Sequence, residues 1–377
     1  MSKTLQDYAT LINDTIQSNE INHYITTDNM CQNLGGIDTF KNINIPQGKV
    51  RSFQKDDVLL SNIRLYFRKV YRAKQKGGCS SDILVFRAKH IDSATLFAIL
   101  SSQIFTDYAC SGSQGSKMPR GNKTHMMDFK IPTINFTIAK IFNSIQNKIE
   151  NNHKINELLH KILELLYEQY FVRFDFLDEN NKPYQTSGGK MKFSKELNRL
   201  IPSGWSVRFL NHKIVSTYQP KTISKTLLNN SYSYSVYGGG GIIGRFTEYN
   251  HEQSEFIISC RGQCGISYLT LPKSWITGNA MVIRPTKSYT SKTYLYHTIK
   301  KYKLTNYITG SVQPQITRQN LSTMPILIPK RKILNKWNNI SSLLWNLIHN
   351  NMQATQTLTA LRDFLLPLLL KQQVKPE

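Results

Sequence analysis

A chain that repeats itself at a fixed interval must fold as copies of one unit, and this sequence does so at 197 residues. The stretch KDDVLLSNIR ends at Arg64 and EQSEFIISCR at Arg261; CSSDILVFR ends at Arg87 and ITGNAMVIR at Arg284. MMDFKIP ends at Pro132 and TMPILIP at Pro329, again 197 residues on. The pair Asn151-Asn152 then matches Asn350-Asn351 at an offset of 199, which asks for a two-residue insertion. Ordered matches at one offset mark a repeat architecture. The chain therefore reads as a block (1–137), a helix (138–180), a second block with its linker (181–332) and a second helix (333–377).

Each block is expected to be mixed α/β. Val58-Leu59-Leu60 and Ile83-Leu84-Val85-Phe86 are short apolar runs suited to buried strands, and Phe256-Ile257-Ile258 and Met281-Val282-Ile283 take the matching places. Polar, Gly-containing stretches, Gly112 to Lys123 and Gly310 to Asn320, read as exposed loops before each helix. The helices show a three-to-four-residue apolar period. In the first it runs Ile138, Ile141, Ile145, Ile149, Asn152, Ile155, Leu159, Ile162, Leu166, Tyr170; in the second Ile340, Leu344, Leu347, Asn351, Ala354, Leu358, Leu361, Leu365. At roughly thirty residues each helix would reach about 45 Å. Both carry an Asn within the stripe, Asn152 and Asn351, and a buried Asn can fix register between partner helices. The expectation is two helices pairing as an antiparallel coiled coil.

The net charge is +24, and it is unevenly placed. Residues 182–332 hold 22 Lys and Arg against 4 Asp and Glu, whereas 138–181 hold 5 against 7. A basic block favours a polyanion, because each phosphate neutralised releases condensed counterions. The nearly neutral helices should pack on protein. No apolar run is long enough for a membrane span and no secretory signal is evident. Five cysteines without paired spacing argue for reduced thiols and a cytoplasmic location.

After the first helix come YFVRFDF (Tyr170 to Phe176), NKPYQTSGGKM (Asn181 to Met191) and IPSGW (Ile201 to Trp205). This run closely resembles the central conserved region of type I restriction–modification specificity subunits. DVLLSNIR (Asp57 to Arg64), GCSSDILVFR (Gly78 to Arg87) and YGGGGIIGRF (Tyr237 to Phe246) agree with it, and the resemblance covers essentially the whole chain. It implies two target-recognition domains, each reading one half of a split double-stranded DNA target, separated by an antiparallel helical spacer. It further implies two modification (methyltransferase) subunits docked along the helices, and restriction (ATP-dependent translocase/nuclease) subunits acting through the complex. The second copy departs from the first: it lacks Cys79-Ser80-Ser81, and Pro367 should kink or end its helix early.

Catalytic parts are missing from the sequence. There is no base-gripping Asn/Asp-Pro-Pro-Tyr/Phe, no Phe-x-Gly-x-Gly cofactor loop and no HExxH. Gly238 to Gly241 lacks phosphate-loop context and reads as a turn; Ser80-Ser81 beside Cys79 has no placed base. No cofactor and no metal are expected, and the chain should be non-catalytic. Reading DNA needs Arg forks for guanine and Asn or Gln for adenine in exposed loops. The candidates are Asn62, Arg64, Lys117, Arg120 and Asn122 in the first copy, and Arg245, Arg261, Gln313, Gln315 and Arg318 in the second. The alternative is a helical scaffold whose basic blocks bind nucleic acid nonspecifically; a lone RNA-binding protein is more remote.

Overall fold

The structure is a computed structural model that describes residues 3–38, 43–131, 134–229, 232–310 and 313–369. Pro132, one of the repeat landmarks, lies outside them. The chain divides into two compact units, Met1–Ile155 with Asn351–Glu377, and Asn156–Asn350. Neither long helix belongs to one unit alone: each unit takes part of both.

The first unit is built on a four-stranded antiparallel sheet ordered Ala9–Ile12, Ile83–Ala88, Val58–Ser61, Val70–Arg72. The second contains the same arrangement: Val215–Tyr218, Ala280–Pro285, Phe256–Ser259, Ser267–Leu269. Val58 pairs with Phe86, and Phe256 with Ile283. Each sheet is followed by a helix, Ser93–Leu100 in one unit and Lys292–Lys300 in the other. The 197-residue offset is thus a repeat of strand order. The two central strands are continuous apolar runs because both faces of the sheet are covered. Val58, Leu60, Leu84 and Phe86 pack on the helices, while Leu59, Ile83 and Val85 pack with Ile25, Phe53 and Cys79.

One ion pair recurs as well. The Arg87 guanidinium donates both Nε and Nη2 to buried Asp57 at 2.8 Å, and Arg284 grips buried Glu255 with Nε at 3.0 Å and Nη2 at 2.7 Å. Such forked charge-assisted bonds fix both distance and orientation. In each unit the pair ties one central strand, Ile83–Ala88 or Ala280–Pro285, to the residue that leads into the other.

The first long helix spans Phe136–Tyr167 and continues as a π-helical turn, Glu168–Val172; the second spans Arg331–Leu369 and carries Pro367 in its last described turn. Pro367 therefore does not end the helix before Leu369. The apolar stripes face differently from the sequence expectation. Ile145, Ile149 and Asn152 are buried, but Ile141, Ile155, Ile162, Ile340, Leu347 and Leu361 are exposed. The buried positions of the first unit include Ala139, Phe142, Gln146 and Glu150 in their place.

Polar side chains link the helix halves within each unit. In the first, Asn152 Nδ2 donates to Thr355 Oγ1 at 3.1 Å, and fully buried Arg362 donates to Gln146 Oε1 at 3.1 Å. In the second, Asn156 Nδ2 donates to the Ile348 carbonyl at 3.3 Å. The rings of His160 and Trp345 meet at 5.1 Å and those of Tyr167 and Trp337 at 5.9 Å. Asn152 thus finds a threonine hydroxyl as a partner, and Arg362 with Gln146 adds a second polar link that periodicity did not reveal.

The run after the first helix is an aromatic box. Phe171, Phe174 and Phe176 surround buried Trp205 at 6.0, 5.6 and 5.3 Å, and Tyr184 stacks on Phe176 at 4.9 Å. Gly189 is needed there because a Cβ would stand 2.5 Å from the Tyr184 ring. YFVRFDF, the tyrosine of NKPYQTSGG and the tryptophan of IPSGW are therefore one packing unit.

Histidines are also buried in the second unit, His297 against Tyr167 and Trp337 and His349 against Trp345. Burial, helped by Lys300, pulls His297 down to about 3, and burial, helped by Lys292, pulls His349 to about 4. Their folded-state values lie below the ordinary 6.5, so the unfolded chain takes up protons first as pH falls, and stability drops between about pH 6.5 and 4. All four tryptophans (Trp205, Trp275, Trp337, Trp345) lie in this unit, so intrinsic fluorescence reports on it selectively. The fluorescence-monitored melting temperature should fall steadily from pH 7 to pH 4, and less steeply in His297→Phe. A flat profile in the unaltered chain would show that these rings are not held neutral by burial.

Candidate nucleic-acid interface

In the first unit the loop 112–122 is held by main-chain bonds to the residues just past the central strand Val58–Ser61. The Arg64 amide donates to the Pro119 carbonyl at 2.9 Å, and the Gly121 amide to the Asn62 carbonyl at 3.1 Å. Gln114 and Arg120 exchange amide–carbonyl bonds of 2.9 and 2.8 Å, closing the loop on itself. Arg64 adopts a left-handed backbone, φ 50, and its Nη2 reaches the Lys117 carbonyl at 3.5 Å. At the far end Asn122 caps the short helix Lys123–Met127, its Oδ1 accepting from the His125 amide at 3.1 Å. His125 in turn stacks on Tyr108 with ring centres 4.1 Å apart.

The second unit repeats the tie. The Ile316 amide donates to the Cys260 carbonyl at 3.1 Å, and Arg261 bridges Gln315. Ile308–Thr309 pairs with Gln315–Ile316, and the Cys264 thiol reaches the Pro314 carbonyl at 3.2 Å. Thr317 caps the turn Arg318–Leu321, with Oγ1 accepting from the Asn320 amide at 3.1 Å. The twin positions Arg64 and Arg261 thus perform the same backbone task, one strand-end residue pairing with the loop.

The sequence candidates fall into distinct environments. Lys117, Arg120, Arg261, Gln313, Gln315 and Arg318 are exposed. Asn62 is only 7% exposed and sits beneath the loop, and Arg64 is half-buried. Arg120 pairs with Asp82 at 2.8 Å, an exposed pair worth at most about 1 kcal/mol. Arg245 stands apart on the hairpin Tyr234–Gly238/Gly241–Phe246, bonded to the Tyr232 and Ser233 carbonyls, and burial lowers its pKa. Gly238 to Gly241 forms the turn of that hairpin. Asn351 is half-buried on the second long helix. Arg318 borders a concavity of about 510 Å³ together with Asn211, His212, Ser216, Thr217 and Gln319. Of these, sequence reasoning missed His212 and Asn211, which are distant in sequence and come close only through the sheet. Asn122 as a cap could have been found, since Asn directly before a helical stretch is a start signal.

Among the described residues no group of three or more His, Cys, Asp or Glu is placed to hold a metal ion. No described helix is long and apolar enough to cross a membrane. Burial pushes the Cys79 thiol up to about 12, which removes its nucleophilic form at neutral pH.

The four-stranded sheet occurs in both units, each time with a polar loop tied by main-chain bonds to the end of a central strand. Residues 202–358 match the family model described as the type I restriction modification DNA specificity domain. Over 319 residues, 75% of this chain and 69% of the relative, the sequence is 21% identical to the type I restriction enzyme MjaIX specificity subunit of Methanocaldococcus jannaschii. The crystal structure of the type I restriction–modification system S subunit from M. genitalium covers 99% of this chain and 96% of its own, at 15% identity and a TM-score of 0.63. That likeness is one of fold. The resemblance to type I specificity subunits read from the sequence is borne out.

The tie itself can be probed at Gly121. A Cβ there would lie 2.1 Å from Met126 Cε, 2.8 Å from Leu65 Cδ1 and 2.9 Å from Asn62 Oδ1. Gly121→Ala should cost about 1–3 kcal/mol, as overpacking does, and loosen the loop. Urea unfolding and proteolysis near residues 112–122 would check this; unchanged stability with an intact loop would show that the contact is soft.

Proposed function

We propose that the chain is the DNA-specificity subunit of a type I restriction–modification complex, recognising a split double-stranded target and doing no chemistry itself. One observation carries this reading: the same sheet, with a polar loop tied at the same strand end, occurs in both units. A protein with two such loops is suited to two separate half-sites. Phosphate contacts from Lys117 and the many lysines of 182–332 would position the protein, and base-edge contacts from Arg120, Arg261, Gln313, Gln315 and Arg318 would select sequence. Releasing Arg120 from Asp82 costs less than the about 1–3 kcal/mol that a bidentate base contact supplies. Asn62, Arg64 and Asn122 serve the loop's shape, and Arg245 holds the hairpin base.

The long helices, in this reading, pair antiparallel and set the unread distance between half-sites. The polar links run in opposite senses along the two helices, Gln146 to Arg362 and Asn152 to Thr355, which supports that pairing. Exposed apolar residues remain along the helices of the second unit: Leu158, Ile162 and Leu165 on one, Ile340, Leu343 and Leu347 on the other. These suit the docking of modification subunits, two per complex, with restriction subunits acting through the assembly.

Sequencing modified bases in host DNA with and without this chain tests the reading. Loss of one bipartite methylated motif is the expected result. An unchanged pattern would contradict it and favour a helical scaffold with nonspecific nucleic-acid binding.

A further inference from the structure

The tip of the first unit's loop, Gly115 to Pro119, presents side chains that the fold does not use. Its neck is closed by the reciprocal Gln114–Arg120 bonds and its far side is tied by Arg64 to Pro119. Gly115 takes φ 99, so the turn is narrow. The hydrogen-bonding side chains around it have tasks in the free protein: Arg120 is paired with Asp82, Asn122 caps a helix, and Arg64 points at the loop backbone. Ser116, Lys117 and Met118 are exposed at the tip. Met118 is 51% exposed, whereas Met126, on the short helix that follows the loop, is fully buried in the core. A flexible thioether held out on a turn whose backbone is fixed on both sides leaves about half of its surface, 51%, open to a ligand.

The chemistry of a thymine matches that side chain. Its 5-methyl group in the major groove offers neither donor nor acceptor, and only apolar contact distinguishes it. An unbranched, polarizable side chain adapts to such a surface. Lys117, beside it, is a compact charge suited to phosphate. We propose that Met118 is a specificity-determining residue that reads a thymine methyl group in one half-site, with Lys117 on a neighbouring phosphate; this rests on the DNA-specificity reading above.

The test uses the full-length chain and random-sequence DNA duplexes. Duplexes are selected for binding, and each thymine of the best one is then replaced by uracil, which deletes only the methyl group. At one position in one half-site the replacement should weaken binding about three- to tenfold, the loss expected for one apolar contact. Met118→Ser should abolish that difference, Met118→Leu should retain it, and the other half-site should be untouched by either. Lys117→Ala should instead weaken binding to all duplexes alike and make its salt dependence shallower by about one counterion. Uracil sensitivity unchanged in Met118→Ser, or no thymine whose methyl matters, overturns the assignment. Failure to select any sequence would overturn the DNA-specificity reading itself, and this assignment with it.

Discussion

A polar loop can present side chains at fixed positions only when its backbone is tied to something that does not move. Here the tie is a few main-chain hydrogen bonds between each loop and the residues that leave a central strand. In the first unit Asn62 and Arg64 supply it; in the second, Cys260 and Arg261 do. The strand behind each tie is buried along its whole length, so the loop is anchored to close-packed core. Buried backbone groups must find partners, and pairing loop with strand end satisfies that demand while fixing the loop. The result is a loop ordered in the free protein; for the DNA reading proposed above, such ordering lowers the entropy lost on binding.

The helices obey a different constraint. Apolar contact alone lets two long helices slide, whereas buried polar groups are costly unless each meets its partner. Asn152 with Thr355 and Arg362 with Gln146 supply such fixed points, and Gln146 also donates to the Leu34 carbonyl at 2.7 Å. The helices are thereby joined to the sheet domain as well as to each other within the first unit. In the second unit the aromatic box around Trp205 and the ring contacts of Tyr167 serve the same end by shape.

The repeat was legible because it is written in spacing, and strand order follows directly from it. The central run was legible as a family resemblance, while its physical meaning, phenylalanines packed around Trp205, needed coordinates. The helix faces were misread in part for a definite reason. A helix that is apolar on two sides gives a periodic signal that does not say which side meets the partner, so Ile141, Ile155 and Ile162 counted as seam residues although they are exposed. Individual loop residues were least legible. Composition treats Asn62, Asn122 and Arg120 alike as polar donors, yet one is buried, one caps a helix and one is paired with Asp82. Those differences arise from contacts between segments far apart in the chain.

The central claim is that the two units read DNA separately. Exchanging residues 1–137 for the matching block of another specificity subunit, and then mapping the methylated motif in cells, tests it most directly. The account predicts a hybrid motif in which one half-site changes and the other is kept. A motif altered in both halves, in a complex that still modifies DNA, would contradict it.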